Sequence, residues 1–358
     1  MAIYDVIIWI MAAFAVLGGI DRILGNRFGL GQQFEEGILA MGSLALAMIG
    51  IITLAPVLAS VLNPVVVPVF DFLGADPAMF AGTILACDMG GGALALEMTN
   101  DPQAAALGGV ITGSMLGATI VFTIPVALGI LRKEDRPALA KGILCGIVTI
   151  PVGIFVSGIV AGFPLGMLLR NLIPIVVLSA LIALGLWWSE SAMIRGFTVF
   201  GKLITGLITF GLAVSIVQAL TGTTLIRGTA PISEGFETVG AIAIVLAGAF
   251  PLVFAITKLL EKPLRKTGQM LGINETAAAG LVATLANSIA TFGMVKDMDH
   301  RGKVVNIAFA ASAAFVLGDH LGFTAGFAPE MLIPMIFGKL AGGISAVALA
   351  VLLTRKKN

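Results

Sequence analysis

Two places in this chain set carboxylates inside otherwise apolar sequence. Asp88 stands in the run AGTILACDMGGG from Ala81 to Gly92, and Asp319 stands beside His320 in VLGDHLGF. A carboxylate in hydrocarbon costs about 2.5 to 3.5 kcal/mol even on lenient insertion scales, so such a residue has a function or a partner. Asp88 is the first candidate for holding a substrate or ion; the bland alternative is that it caps a half-helix by accepting backbone N–H groups. Asp319 with His320 can attract a cation, relay a proton, or neutralise itself as a buried pair. Thr284 and Asn287, in AAAGLVATLAN, add a hydroxyl and an amide, although such residues in membrane helices equally bond backbone or a neighbouring helix. Two buried carboxylates on separate segments could also share a proton and act as an intramembrane aspartyl hydrolase. Against that, position 316 is Val where the usual GxGD context wants Gly.

The rest of the chain has few ionisable groups to set beside these. Of 358 residues, 58% are hydrophobic and 11% charged, with mean hydropathy +1.06, whereas soluble domains carry about 25% charged residues. This is the composition of a polytopic membrane protein whose first environment is the lipid bilayer. A formal net charge of +1, with the charges gathered into short loops, argues against nucleic acid as a partner. Cys87 and Cys145, both in apolar runs, provide neither a disulfide framework nor a zinc cluster. His300 and His320 are too few for most metal sites, so no metal and no cofactor is expected. With one tyrosine, and with Trp9, Trp187 and Trp188 suited to interfacial belts, an aromatic cage for a quaternary ammonium is not evident. A carboxylate site for a smaller ammonium fits better. Glu35, Glu36, Glu97 and Glu234 fall at segment ends, where solvation is the default, and Arg170 and Lys339 lie near span ends and are read as snorkelling.

Segments long enough to cross the hydrocarbon, about twenty residues each, run over 4–24, 38–62, 104–131, 138–162, 165–188, 195–220, 236–260, 304–327 and 331–353. The first has no basic n-region or cleavage signal and reads as a retained span. Two further segments, 77–98 and 276–295, are interrupted by polar or glycine residues. On the positive-inside rule, the basic tail Arg355 to Lys357 and the Arg132 to Lys141 loop are cytoplasmic. Segment 77–98 has non-basic loops on both sides, and segment 276–295 has basic ones, Lys258 to Lys266 and Lys296 to Lys303. A segment with both ends on one side does not cross, so both are expected to be re-entrant hairpins around protein or a water-filled cavity.

An internal repeat is expected as well. At an offset of 198, Glu36, Gly37, Gly42, Gly50, Gly74 and Gly82 match Glu234, Gly235, Gly240, Gly248, Gly272 and Gly280. Five crossings separate the two copies, an odd number, so the halves 1–163 and 195–358 are read as inverted about a linking helix at 164–194, within a single transport domain. The fold expected is all-α, with about nine transmembrane helices and two hairpins. Paired small residues such as Gly142 and Gly146 are assigned to helix packing.

The motifs GQQFEEG at Gly31, LACDMGG at Leu85, IVTIPVG at Ile147, EKPL at Glu261, AAAGLVATLAN at Ala277, MDHRGK at Met298 and FVLGDHLGF at Phe315 cover nearly the whole chain in order. In these the sequence resembles the ethanolamine utilisation permeases. One departure falls after Asn287, where Ser288, Ile289 and Ala290 include no proline, so a continuous helix there would be less strained. The resemblance implies a non-enzymatic, multi-pass permease of the bacterial inner membrane that admits ethanolamine, in protonated form when external pH is low. A small ammonium alcohol wants a carboxylate and one or two neutral hydrogen-bond partners, which Asp88, Asn287, Thr284, Asp319 and His320 supply. A passive channel for small amines is the nearer rival, and the sequence leaves room for a homo-oligomer.

Overall fold

The computed structural model describes residues 3–355, with the side chains of residues 5–259 and 270–355. Among the described residues it is all-α and contains no strand. In chain order the helices are α1 (Ile3–Ile23), α2 (Leu30–Phe72), the short pair α3 (Ala78–Ile84) and α4 (Gly91–Met98), and α5 (Pro102–Ile130). Next come α6 (Arg136–Val160), α7 (Leu165–Trp188), α8 (Glu190–Thr221) and α9 (Ile232–Leu271). The chain ends with the short pair α10 (Glu275–Ala286) and α11 (Ser288–Met294), then α12 (His300–Ala313), α13 (Asp319–Phe327) and α14 (Leu332–Leu353).

Eight of these helices are long and apolar enough to cross a membrane. α2 is 43 residues long, about 65 Å at the helical rise, and runs well past its expected end, with Pro64 and Pro68 on its exposed side. α9 likewise continues through the stretch read as a basic loop at 258–266. The side chains of Lys262, Arg265 and Lys266, and all of Lys356 and Lys357, lie outside the described residues.

The helices pack as two bodies. α1, α2, α8 and α9 form one; α5, α6, α12 and α14, with the short pair α3 and α4, form the other; α7 lies against α6 and α8, α10 bridges α9 and α12, and α13 is seated chiefly on α9. Small residues set the closest crossings, as expected where lipid removes the usual hydrophobic drive and backbones must approach to gain contact. A Cβ on Gly50 of α2 would sit 1.8 Å from the Ile208 carbonyl of α8. Gly142 and Gly146 of α6 face Ile307 and Ala311 of α12 in the same way. α5 is wound as a π-helix over Ala106–Gly117 and Thr119–Thr123, a rare geometry that tends to mark functional positions.

Both interrupted segments turn back on themselves. Thr99 Oγ1 donates to Asp76 Oδ2 at 2.7 Å, so the chain leaves α4 where it entered α3. The second pair is closed at its base by Asn274 N donating to Asp299 Oδ1 at 2.8 Å and Asn274 Nδ2 donating to the Asp297 carbonyl at 3.0 Å. Asn287 breaks the second pair without a proline: its backbone is extended, and its side chain accepts from Ile289 N at 2.8 Å to cap α11.

The segment expected as a continuous crossing over 304–327 is broken. α12 stops at Ala313, and α13 begins only at Asp319. Between them Phe315 adopts φ 62°, a left-handed conformation that a bulky residue takes only when its surroundings impose it. Those surroundings are the turn between α10 and α11. Phe315 N donates to the Thr284 carbonyl at 3.2 Å and Leu317 N to the Leu285 carbonyl at 2.8 Å. Gly318 lies so close that a Cβ there would be 2.1 Å from the Ala286 carbonyl. The amides released by unwinding thus find partners in the neighbouring hairpin, which is what lets a helix break where water is scarce.

Candidate functional site

The turn between α3 and α4 and the break between α12 and α13 face each other across a cavity of about 180 Å³. Its walls are Ala86, Asp88 and Met89 of the turn, Ala118 and Phe122 of α5, Phe315, Asp319 and His320 at the break, and Ser43, Leu44 and Ala47 of α2. Gly90 makes the turn possible. At φ 88° it starts α4 from a left-handed conformation, and a Cβ there would lie 2.1 Å from Ile51 of α2. No side chain caps α4, so the capping alternative for Asp88 is not what the structure shows. The Asp88 carboxylate instead keeps 17% of its side chain accessible and turns to the cavity.

Behind that wall lies a buried polar chain. His320, 2% exposed, places Nε2 3.7 Å from Asp88 Oδ1. Its Nδ1 is 3.0 Å from Lys339 Nζ, and the same ammonium donates to the Ser114 carbonyl in the π-helical part of α5. With Nδ1 accepting from the ammonium, the hydrogen-bond network assigns the ring proton to Nε2, where it points at Asp88. Lys339 is 1% exposed, which overturns the snorkelling reading. It lies on the inner face of α14, and its charge is spent inside the protein rather than at the interface.

Asp88, Asp319 and His320, separated by more than 230 positions in sequence, are therefore brought together. Asn287 and Thr284 are not. Asn287 is exposed and serves as a cap. Thr284 is buried, donates to the Gly280 carbonyl at 2.9 Å and pairs with Thr291 at 2.8 Å. Neither lines the cavity. The aromatic expectation also changes, because phenylalanines supply what tyrosine and tryptophan counts do not reveal. Phe122 and Phe315 meet edge to face with centroids 5.5 Å apart, and Phe315 lies 5.3 Å from the His320 ring. Aromatic faces beside carboxylates attract cations by both quadrupole and charge.

A second cavity of about 530 Å³, between α2, α3, α7 and α8, is larger but lined by residues such as Phe70, Phe80, Pro174 and Phe197, with no ionisable group. Size alone does not make it the site for a charged molecule. Cys87 Sγ, an Asp88 oxygen and a His320 nitrogen come within 4.8 Å of one another. The Lys339 ammonium against the same imidazole puts a positive charge beside any divalent ion there, so the donor set opposes metal binding on electrostatic grounds.

Comparison with known proteins gives the family. Residues 3–353 match the family described as "Ethanolamine utilisation protein, EutH". The chain is 61% identical to the probable ethanolamine permease EutH of Listeria monocytogenes, over 99% of this chain and 95% of that protein. It is 48% identical to the protein of the same description in Escherichia coli, over 100% and 97%. An uncharacterized Bacillus subtilis protein, YxeR, is 52% identical over 99% and 96%. No solved structure matches the chain.

Proposed function

The chain belongs to the EutH family of ethanolamine utilisation proteins, and from that footing we propose that it carries ethanolamine as its ammonium form across the bacterial inner membrane. The observation that carries this reading is the cavity between α2 and the two backbone breaks, with Asp88 and Asp319 in its lining and Phe122 and Phe315 beside them. A water occupies about 30 Å³ of liquid, so a volume of about 180 Å³ takes a molecule of four heavy atoms with a water or two. The carboxylates attract the ammonium, while Ser43 and the His320 ring are the remaining polar groups of the lining for its hydroxyl. Because neutral amine crosses lipid unaided and becomes scarce in acid, a charged site is useful when external pH is low.

Support for two re-entrant hairpins in inverted halves comes from the joined bases at Asp76 with Thr99 and Asn274 with Asp299. These positions fall near the 198-residue offset, with Asp76 matching Asn274. Broken helices meeting at a central site are the architecture of secondary transporters that alternate access. An aspartyl hydrolase is less well supported, since Asp88 is paired with His320 and the family is named for a permease.

The test is uptake of labelled ethanolamine into proteoliposomes at acid external pH. Saturable uptake with counterflow is expected of a carrier, whereas a channel shows neither. Asp88→Asn removes a charge partner of the substrate, an interaction of about 2 to 5 kcal/mol when desolvated, so the half-saturation concentration rises at least about thirtyfold. Unchanged uptake in that variant removes Asp88 from the site.

A further inference from the structure

Lys339 presents a primary ammonium at the heart of a site we read as built for a primary ammonium. Its Nζ donates to His320 Nδ1 and to the Ser114 carbonyl, and it is shut off from solvent. It is not part of the cavity lining; it acts from one imidazole behind the wall. The ionisable groups around it are Cys87, Asp88 and His320, and Asp319 lies in the lining of the same cavity. Counted with both carboxylates ionised and the amine protonated, Asp88 and Asp319 face one resident ammonium. A single negative charge is left for cargo.

We propose that Lys339 is a specificity-determining residue: by occupying one unit of the site's negative charge, it restricts the cavity to monocations and excludes dications of the same size. This rests on the amine-carrier reading above and adds what that reading leaves open, namely whether a pocket with two carboxylates takes a diamine. A hydroxyl at the far end of the cargo meets Ser43 or the imidazole edge, whereas a second ammonium there meets a wall backed by Lys339. In a low-dielectric interior that repulsion is poorly screened. Lys339 also holds the imidazole with its N–H towards Asp88, so the ring cannot offer its lone pair to a second cation.

Ethylenediamine is the matched probe, since it differs from ethanolamine only in bearing an amine where the other bears a hydroxyl. In proteoliposomes of the whole chain, its inhibition of ethanolamine counterflow is compared with that of unlabelled ethanolamine as a potency ratio taken for wild type and variant at the same pH, so that loss of overall activity with pH does not enter. Below the diamine's second dissociation, where it is a dication, the wild type is expected to discriminate on the order of a hundredfold, the equivalent of one uncompensated charge. Above that dissociation, where the diamine is a monocation, the ratio is expected to fall to within a few-fold. Lys339→Met should bind the dication as well as ethanolamine or better, collapsing the ratio at acid pH. Should Lys339→Met not fold, Lys339→Gln, which keeps a donor towards His320 and the Ser114 carbonyl without the charge, is read by the same ratio, and a hundredfold ratio kept in that variant overturns the proposal equally. The proposal is overturned by a dication that competes equally in the wild type, or by a folded Lys339→Met that keeps the hundredfold ratio. Absence of saturable ethanolamine counterflow in the wild type would instead strike the amine-carrier reading itself.

Discussion

Gly318→Ala tests whether the second hairpin holds the binding site in shape. The added Cβ would fall 2.1 Å from the Ala286 carbonyl oxygen, more than 1 Å inside the closest approach that ordinary contacts tolerate, and the obstacle is backbone. The break and the hairpin turn must therefore separate. Separation loosens the two hydrogen bonds that flank the contact, Phe315 N to the Thr284 carbonyl and Leu317 N to the Leu285 carbonyl. At about 1 kcal/mol net for each bond and about 1 to 3 kcal/mol for overpacking, the expected destabilisation is about 3 to 5 kcal/mol. The displaced segment carries Asp319 and His320, so ethanolamine uptake should fall at least about tenfold, since misplacement by about 1 Å is costly in a fitted site. The control is Gly293→Ala, on the same hairpin, where an added Cβ meets nothing within 4 Å. Apparent melting of the detergent-solubilised proteins and initial uptake rates in vesicles are the assays. If Gly318→Ala melts and transports like Gly293→Ala, the hairpin does not position the site.

Cysteines placed at Met270 and Lys296, one on each side of the second hairpin, are expected to react with a membrane-impermeant maleimide from the same face only; labelling from opposite faces means that this segment crosses. The buried pair of Lys303 and Asp135, 19% and 4% exposed, should couple strongly. Asp135→Leu alone leaves an unpaired buried ammonium and is expected to cost about 3 to 5 kcal/mol, whereas Asp135→Leu with Lys303→Met recovers most of the loss. A double-mutant cycle on thermal stability measures the difference, and additive losses would show that the pair is not coupled.

The two carboxylates were legible in sequence because ionised groups are conspicuous in hydrocarbon, and Asp88 and Asp319 needed no geometry to be noticed. The two interruptions at 77–98 and 276–295 were legible as polar and glycine residues within apolar sequence, but loop charge was a poorer guide, since the basic stretch 258–266 read as a loop is helical in α9. Lys339 was hidden by its position eight residues into α14, where sequence cannot say whether a long cationic chain points out to the interface or in to an imidazole. Phe122 and Phe315 were hidden among 21 phenylalanines, any of which could face lipid. Nor does a sequence reading AAFVLGDH announce a break, because Phe315 is forced into its conformation by carbonyls some thirty residues away. Asn287 was correctly placed at an interruption, but its amide is consumed by the local backbone.

The charged groups that line the cavity are carried by helices with different neighbours. Asp88 belongs to the turn between α3 and α4, whereas Asp319 and His320 open α13, which is seated chiefly on α9, and α2 contributes only Ser43, Leu44 and Ala47. Ser43 already donates to its own helix, to the Ala40 carbonyl at 2.9 Å, and among the described residues no side-chain hydrogen bond ties Asp88, Asp319 or His320 to α2 or α9. The charges of the site are thus anchored on both sides of the packing boundary, Asp88 with the first hairpin and Asp319 with His320 on a helix that leans on α9. A relative shift of the two bodies would therefore alter the spacing between the carboxylates themselves.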